Sequence, residues 1–180
     1  MFGPVLAGEK VTLRPPDDSD AARFVDWFGD LDVTRYLLRR FAVGRLQEDG
    51  FLKTLGESAT DVFWMLEADG QPIGATGIHQ IDWLHAHATT GIVIGVKSEW
   101  RKGRASEAMR IRTDYAFRQL NLRKLTSGTF AENEASRRAL LRSGYREVGI
   151  QREHFFREGR WHDHWICEVH RDEWERMQAS

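Results

Sequence analysis

Trp100-Arg101-Lys102-Gly103-Arg104-Ala105-Ser106 is the segment of this chain whose residue types most directly imply chemistry. It follows the apolar run 91–96 and precedes a helix-compatible stretch that reaches Leu120. A strand, a short basic turn and a helix in that order bring unpaired backbone N–H groups and the positive end of a helix dipole to one point. Gly103 and Ala105 are small enough for an anion to approach the main chain, and Arg101, Lys102 and Arg104 add charge there. Such a turn suits a phosphate or pyrophosphate. An ordinary tight turn with solvated Arg and Lys has the same composition, so the segment alone leaves both readings open.

A second group of reactive side chains lies near the C-terminus. Cys167 is the single cysteine, so no disulfide can form within the chain, and this usage suits a reducing compartment. It sits in the apolar run 165–169 and reads as a buried structural thiol. His162, His164 and His170 are close in sequence, so a catalytic thiol is the alternative; it would need a base and positive surroundings. His85, His87, His162 and His164 raise the question of a metal, because His-x-His sets two imidazoles on one strand face. No carboxylate or cysteine completes a recognised ligand spacing, so no metal is expected.

The elements that must carry these groups follow from apolar periodicity and from breakers. Residues 11–14 read as a short strand stopped by Pro15-Pro16. Asp17-Asp18-Ser19-Asp20 supplies helix caps, and a helix over 21–28 puts Phe24, Trp27 and Phe28 at helical spacing. Further helices are expected over 32–38 and 46–55. Strands over 62–67 and 73–78 are joined at Asp69-Gly70, a hairpin signal. Residues 85–90 are expected as a loop, 91–96 as a strand, 106–120 as a helix and 124–130 as a strand. A helix over 134–143 has Gly144 as its cap. Strands 148–156 and 161–169 flank a hairpin at Glu158-Gly159-Arg160, and 171–177 is a short terminal helix. The pattern predicts a mixed sheet in one α/β (α+β) domain spanning 1–180.

The charge balance, 26 Lys+Arg against 27 Asp+Glu, argues against a nucleic-acid binder. No window approaches a membrane span, and the first ten residues lack the pattern of a signal peptide, so a cytoplasmic protein is expected.

With these elements placed, the chain resembles the GNAT N-acetyltransferases, and within them the RimJ/RimL branch. Six segments carry the resemblance: Leu13-Arg14-Pro15 with the Asp-rich turn and Trp27, Ile73-Gly74-Ala75-Thr76-Gly77, Trp100 to Ala108, Asp114-Tyr115-Ala116-Phe117, Asn133-Glu134-Ala135-Ser136 before Gly144-Tyr145, and Gly159-Arg160-Trp161-His162-Asp163. The resemblance implies a GNAT fold: a mostly antiparallel mixed sheet, splayed where acyl-CoA enters and flanked by helices. It implies acetyl-CoA as co-substrate, with Arg101, Lys102, Gly103, Arg104, Ala105 and Ser106 around the pyrophosphate. Pantetheine would run along Ile94 and Val96, and an N–H near Val96 would act as oxyanion donor. Asn133 would hydrogen-bond pantetheine, cap its helix, or both.

The resemblance further implies direct acyl transfer to a neutral amine: a protein N-terminus, an amino acid or a small aminated compound. Ser136 is the candidate donor to the departing thiolate, or else a packed first-turn serine; Leu140 stands where many relatives carry Tyr. Thr90 stands where the branch often carries a Glu base, and Thr cannot serve at neutral pH. His79 and Asp82 are the next candidates, His154 and Glu153 weaker ones, and a base-free route through water remains. Trp27, Tyr36 and Phe155 are expected in the acceptor wall, with Phe24, Phe41 and Trp161 as further members. Arg112-Thr113 depart from the aliphatic pair usual in the loop helix; Arg112 is expected to reach the surface, an acidic partner or a dimer contact. A homodimer fits the resemblance. An acyl-CoA-binding module without catalysis is the competing reading, motivated by Thr90. A nucleotide-binding α/β protein is disfavoured, since neither Gly-Lys-Ser/Thr nor G-x-G-x-x-G is present.

Overall fold

The computed structural model describes residues 1–39 and 41–179. Its strands are β1 (Leu6–Ala7), β2 (Thr12–Arg14), β3 (Val62–Ala68), β4 (Gln71–Asp82), β5 (His87–Ile94), β6 (Lys124–Phe130), β7 (Arg146–Arg157) and β8 (Arg160–His170). They form one sheet in the order β1-β2-β3-β4-β5-β6-β8-β7. The helices are α1 (Asp20–Gly29), α2 (Leu31–Thr34), α3 (Arg45–Glu57), α4 (Arg104–Arg118), α5 (Glu134–Arg142) and α6 (Arg171–Gln178).

Side-chain alternation assigns the two faces. Phe63, Met65 and Ala75 pack with Phe24, Trp27, Leu52 and Leu55 of α1 and α3. Trp64, Leu66 and Ile78 point the other way, into a core with Met109, Ala116 and Phe117 of α4 and with Leu125, Trp165 and Trp174. Because β3 and β4 are covered on both faces, they read as near-continuous apolar runs.

β5 and β6 pair in parallel, and only through His87–Thr89 against Lys124–Thr126, whereas the pairs β1 to β5 and β6 to β8 are antiparallel. Beyond Thr89 the two strands separate. Side chains hold the apex of this wedge: Ser127 Oγ donates to the Thr90 carbonyl at 3.1 Å, and Thr90 Oγ1 donates to the Thr126 carbonyl at 3.3 Å.

Four sequence expectations need correction. The helix expected over 32–38 stops at Thr34; Arg157 Nη2 donates to the Thr34, Leu37 and Arg39 carbonyls at 2.7–3.0 Å, which fixes that stretch in a non-helical path. The loop expected over 85–90 is a strand from His87 onward, paired with β4 on one side and β6 on the other. The strand ends at Ile94, and α4 begins at Arg104, two residues early, after a 3-10 turn over Lys97–Glu99. Arg112 does not reach the surface, an acidic partner or a dimer contact. It is fully buried, and donates to Thr76 Oγ1 at 2.7 Å, the Gly91 carbonyl at 2.8 Å and Tyr145 Oη at 3.3 Å. Hydroxyls at Thr76 and Tyr145, the second also held by Thr113 Oγ1 at 3.3 Å, solvate a guanidinium that an aliphatic surrounding would exclude.

Candidate active site

The turn after β5 is assembled by its own ion pairs. Gly103 caps α4 in the left-handed region at φ +82°, which a side chain would strain. The helix ladder starts with Glu107 N–H donating to the Gly103 carbonyl at 3.1 Å. The N–H groups of Arg104, Ala105 and Ser106 therefore precede the ladder. Lys102 and Arg104 both bond Glu99, at 2.9 and 2.8 Å, and Arg104 also reaches Asp69 and the Lys10 carbonyl. The bond from Lys102 holds the Glu99 carboxyl below its ordinary range; desolvation pushes it up, and the bond from Arg104 adds to the lowering. The Arg104 guanidinium is thus turned back to brace the turn, and the exposed Arg101 is the basic side chain of the three with no carboxylate partner among the described residues.

The expected oxyanion donor is differently engaged. Gly95 and Val96 N–H both donate to the Ile73 carbonyl, at 2.8 and 3.2 Å, so they face β4 and not the wedge. By the alternation of an antiparallel ladder, Ile92 and Ile94 present their N–H groups to the opened edge. The Ile94 carbonyl there accepts from Trp100 Nε1 at 2.9 Å.

Across the wedge, Asn133 caps α5. Its Oδ1 accepts from Ser136 N–H at 3.2 Å, and its Nδ2 donates to Thr129 Oγ1 at 3.0 Å. Ser136 stands half-buried in the first turn.

His79 lies on the face covered by α1 and α3, opposite to Thr76 and Thr90. Its ring covers two glycines: a Cβ on Gly77 would lie 2.5 Å from His79 Nε2, and one on Gly91 3.7 Å from it. Nδ1 is 3.0 Å from Asp61 Oδ1. Burial holds the imidazole below its ordinary pKa; Asp61 works against this and Arg112 adds to it. Asp82 is not brought to His79: its Oδ1 accepts from His85 N–H at 2.8 Å and its Oδ2 is 3.9 Å from His87. Glu153 and His154 sit on β7, where the His154 ring lies 5.0 Å from that of His164. Thr90 faces α4, 3.3 Å from Tyr145 Oη.

Of the aromatic residues expected in an acceptor wall, Trp27 packs against Gly95, where an added Cβ would fall 2.1 Å from the indole. Tyr36 and Phe155 flank Phe130, with ring centroids 5.6 and 4.5 Å away. Together with Arg157, His162 and Glu132, Tyr36 and Phe130 line a small recess. Phe24 is core, Phe41 is 84% exposed, and Trp161 meets Phe156 edge-on at the hairpin tip. Sequence reasoning missed Asp61, Glu107 and Arg157, whose roles depend on partners far along the chain.

Cys167 is fully buried, and burial pushes its thiol up to about 12. An acyl-cysteine route is therefore closed. Cys167→Ser is expected to leave turnover within about twofold, and the native thiol should resist an aromatic disulfide reagent until the protein is unfolded. Rapid native labelling would contradict this. Among the described residues, no group of three or more His, Cys, Asp or Glu side chains could hold a metal ion. Among the same residues, no helix is long and apolar enough to cross a membrane.

The site is thus a sheet opened at one parallel edge, beside a basic strand-to-helix turn. The spermidine N-acetyltransferase from Vibrio cholerae, solved with CoA and spermine, superposes with a TM-score of 0.86 at 20% identity over 93% of this chain and 99% of that one. RimL, the ribosomal L7/L12 alpha-N-protein acetyltransferase in complex with CoA, gives 0.85 at 14% identity, over 94% and 99%. The uncharacterized N-acetyltransferase YoaA of Bacillus subtilis (strain 168) is 30% identical over 164 residues, covering 88% of this chain and 92% of YoaA. The family model for the acetyltransferase (GNAT) domain matches residues 10–146. The chain belongs to the GNAT acetyltransferase family and is an acyltransferase.

Proposed function

We propose that this protein transfers an acetyl group from acetyl-CoA to a primary amine, through a ternary complex, and that residues 1–180 act as one catalytic domain. The observation that carries the reading is the opened edge of β5, which runs from Gly91, under the His79 ring, toward the Gly103 turn, whose N–H groups precede the α4 ladder. Pyrophosphate would sit on that turn, with Arg101 and Lys102 beside it. Pantetheine would pair along Ile92 and Ile94, with Ile94 N–H as oxyanion donor in place of Val96 N–H.

The acceptor amine would approach from the face of α1 and α3. Its nitrogen attacks the thioester carbonyl, the C–N bond forms and the C–S bond breaks. His79 Nε2 takes the amine proton, directly or through one water, and CoA leaves as thiolate. Ser136 or solvent then supplies the thiol proton. Asp82 has no part in this scheme. Trp27, Tyr36 and Phe155 bound the acceptor side, and Asn133 helps seat pantetheine. The acceptor class is a protein α-amine, an amino acid or a small aminated compound. Membership of the RimJ/RimL branch, a cytoplasmic location and a homodimer belong to the same reading. An acyl-CoA-binding module without catalysis is the second reading, favoured by Thr90, which bonds β6 and Tyr145.

Released thiol across a panel of peptides, amino acids, polyamines and aminated antibiotics tests the proposal, alongside thermal stabilisation by CoA. Turnover on one class is expected. Stabilisation without turnover selects the binding module, and no stabilisation removes the acyl-CoA reading.

A further inference from the structure

A histidine serves as a base only if its lone pair faces the substrate, so the proton position on the ring decides the matter. We infer that Asp61 is the positioning residue for His79, fixing the ring with its proton on Nδ1 and its lone pair on Nε2, over Gly77 and Gly91. This rests on the reading of His79 as base.

Asp61 lies in the loop before β3, and its carboxylate is itself held. Ser58 Oγ donates to Oδ2 at 2.6 Å, and Gln80 N–H points at Oδ1 from 3.4 Å. The second contact comes from an irregularity in β4: the register shifts between His79 and Asp82, and Gln80 takes φ +53°. A bulge at this point turns the backbone after His79 toward Asp61. Burial pushes the Asp61 carboxyl up, but the hydrogen bonds from Ser58 and His79 outweigh it and hold the group below its ordinary range. Asp61 is therefore an ionised, acceptor-only partner. A neutral ring facing it must donate from Nδ1, which leaves Nε2 unprotonated.

Two other histidines show what this arrangement adds. His162 lies between two acceptors, Glu132 Oε1 at 2.5 Å and the Arg157 carbonyl at 3.0 Å, so neither nitrogen is offered to a substrate. His164 Nδ1 meets the Gln151 side-chain amide at 3.1 Å, and an amide can present oxygen or nitrogen, so it does not dictate a tautomer. His79 meets a carboxylate at Nδ1 and, among the described residues, no acceptor or donor at Nε2. The charged groups facing it are Asp61 and, from α4 through the sheet, Arg112. They act in opposite directions, and burial keeps the ring neutral near pH 7.

Long-range nitrogen–proton NMR on the free protein reads the tautomer directly. Wild type is expected to carry the His79 proton on Nδ1. In Asp61→Asn the protonated nitrogen should become mixed or move to Nε2. The His79 titration midpoint should fall, because the carboxylate that raised it is gone. With an accepted amine, kcat should drop at least tenfold while the KM for acetyl-CoA stays within twofold. Gln151→Ala should change none of these. His79→Gln is the separate control, expected to lower kcat about a hundredfold, within the usual range for a general base. If His79→Gln keeps wild-type turnover, the base reading itself fails. If His79→Gln loses turnover but Asp61→Asn leaves tautomer and kcat unchanged, the base stands and the role of Asp61 falls. A wild-type His79 protonated on Nε2 also overturns it, even if the variant cannot be folded.

Discussion

Gly74→Ala is expected to prevent this protein from accumulating in folded form. A Cβ at position 74 would lie 2.1 Å from the Val93 carbonyl oxygen and 3.0 Å from Ile94 Cα. Both are backbone atoms of β5, so no rotamer change can relieve the contact. The strands would have to separate at the point where Ala75 pairs with Val93 and Gly74 with Ile94, alongside the opened edge. Ordinary overpacking costs about 1–3 kcal/mol when side chains can yield. Here the ladder itself must move, and roughly 4 kcal/mol or more is expected, a large share of a typical domain's stability. Gly149→Ala is the matched control, since nothing lies within 4 Å of a Cβ there. It should be neutral or slightly stabilising. Urea unfolding of both variants checks the pair: equal midpoints would remove the close-approach account of the Ile-Gly motif.

That motif was visible in the sequence, but its reason was not. Glycine at 74 reads as permissive until the facing carbonyl is seen. The same division holds elsewhere. The basic turn, the helices flanking it and the β7–β8 hairpin were legible because periodicity and turn residues are local signals. The strand from His87 to Thr90 was not, since its neighbours β4 and β6 supply the pairing that its polar sequence does not announce. The shortened α2 has a similar cause, in the carbonyls that Arg157 gathers from 120 residues away.

Site residues divide on the same line. His79 could be nominated from its place after a strand, but its partner could not. Asp82, three residues on, is the near carboxylate in sequence. Asp61, which touches the ring, is 18 residues back. Val96 was a reasonable oxyanion donor by position, yet the direction of an N–H depends on ladder register, and register put it toward Ile73. Arg112 was open to the surface, an acidic partner or a dimer contact, since arginine is almost never fully buried unless paired. It is buried because the hydroxyls of Thr76 and Tyr145 and the Gly91 carbonyl, from distant parts of the chain, converge on it.

Glu107→Ala is expected to lower stability strongly while leaving CoA affinity nearly unchanged. The carboxylate sits in the first turn of α4 and is buried. It accepts from the backbone N–H groups of Glu9, Lys10 and Val11, at 3.1, 2.7 and 2.8 Å, and so clasps the β1–β2 turn to the helix. Alanine leaves three donors without an acceptor. Hydrogen bonds to a charged group contribute about 1.5–3 kcal/mol each. The Glu9 and Lys10 N–H groups are partly exposed and can regain water, so a loss of about 4 kcal/mol is reasonable. For a chain of this size that is roughly 10 °C in Tm. Glu107→Gln keeps an acceptor oxygen and should lose about half as much. The neighbouring turn has its own support, because Arg104 remains bonded to Glu99 and Asp69 when Glu107 is gone. CoA Kd should therefore change less than about threefold, a difference under 1 kcal/mol. Calorimetric melting and CoA titration of the same samples separate the two effects. A variant that melts like wild type but no longer binds CoA would make Glu107 part of the cofactor site and not a clasp.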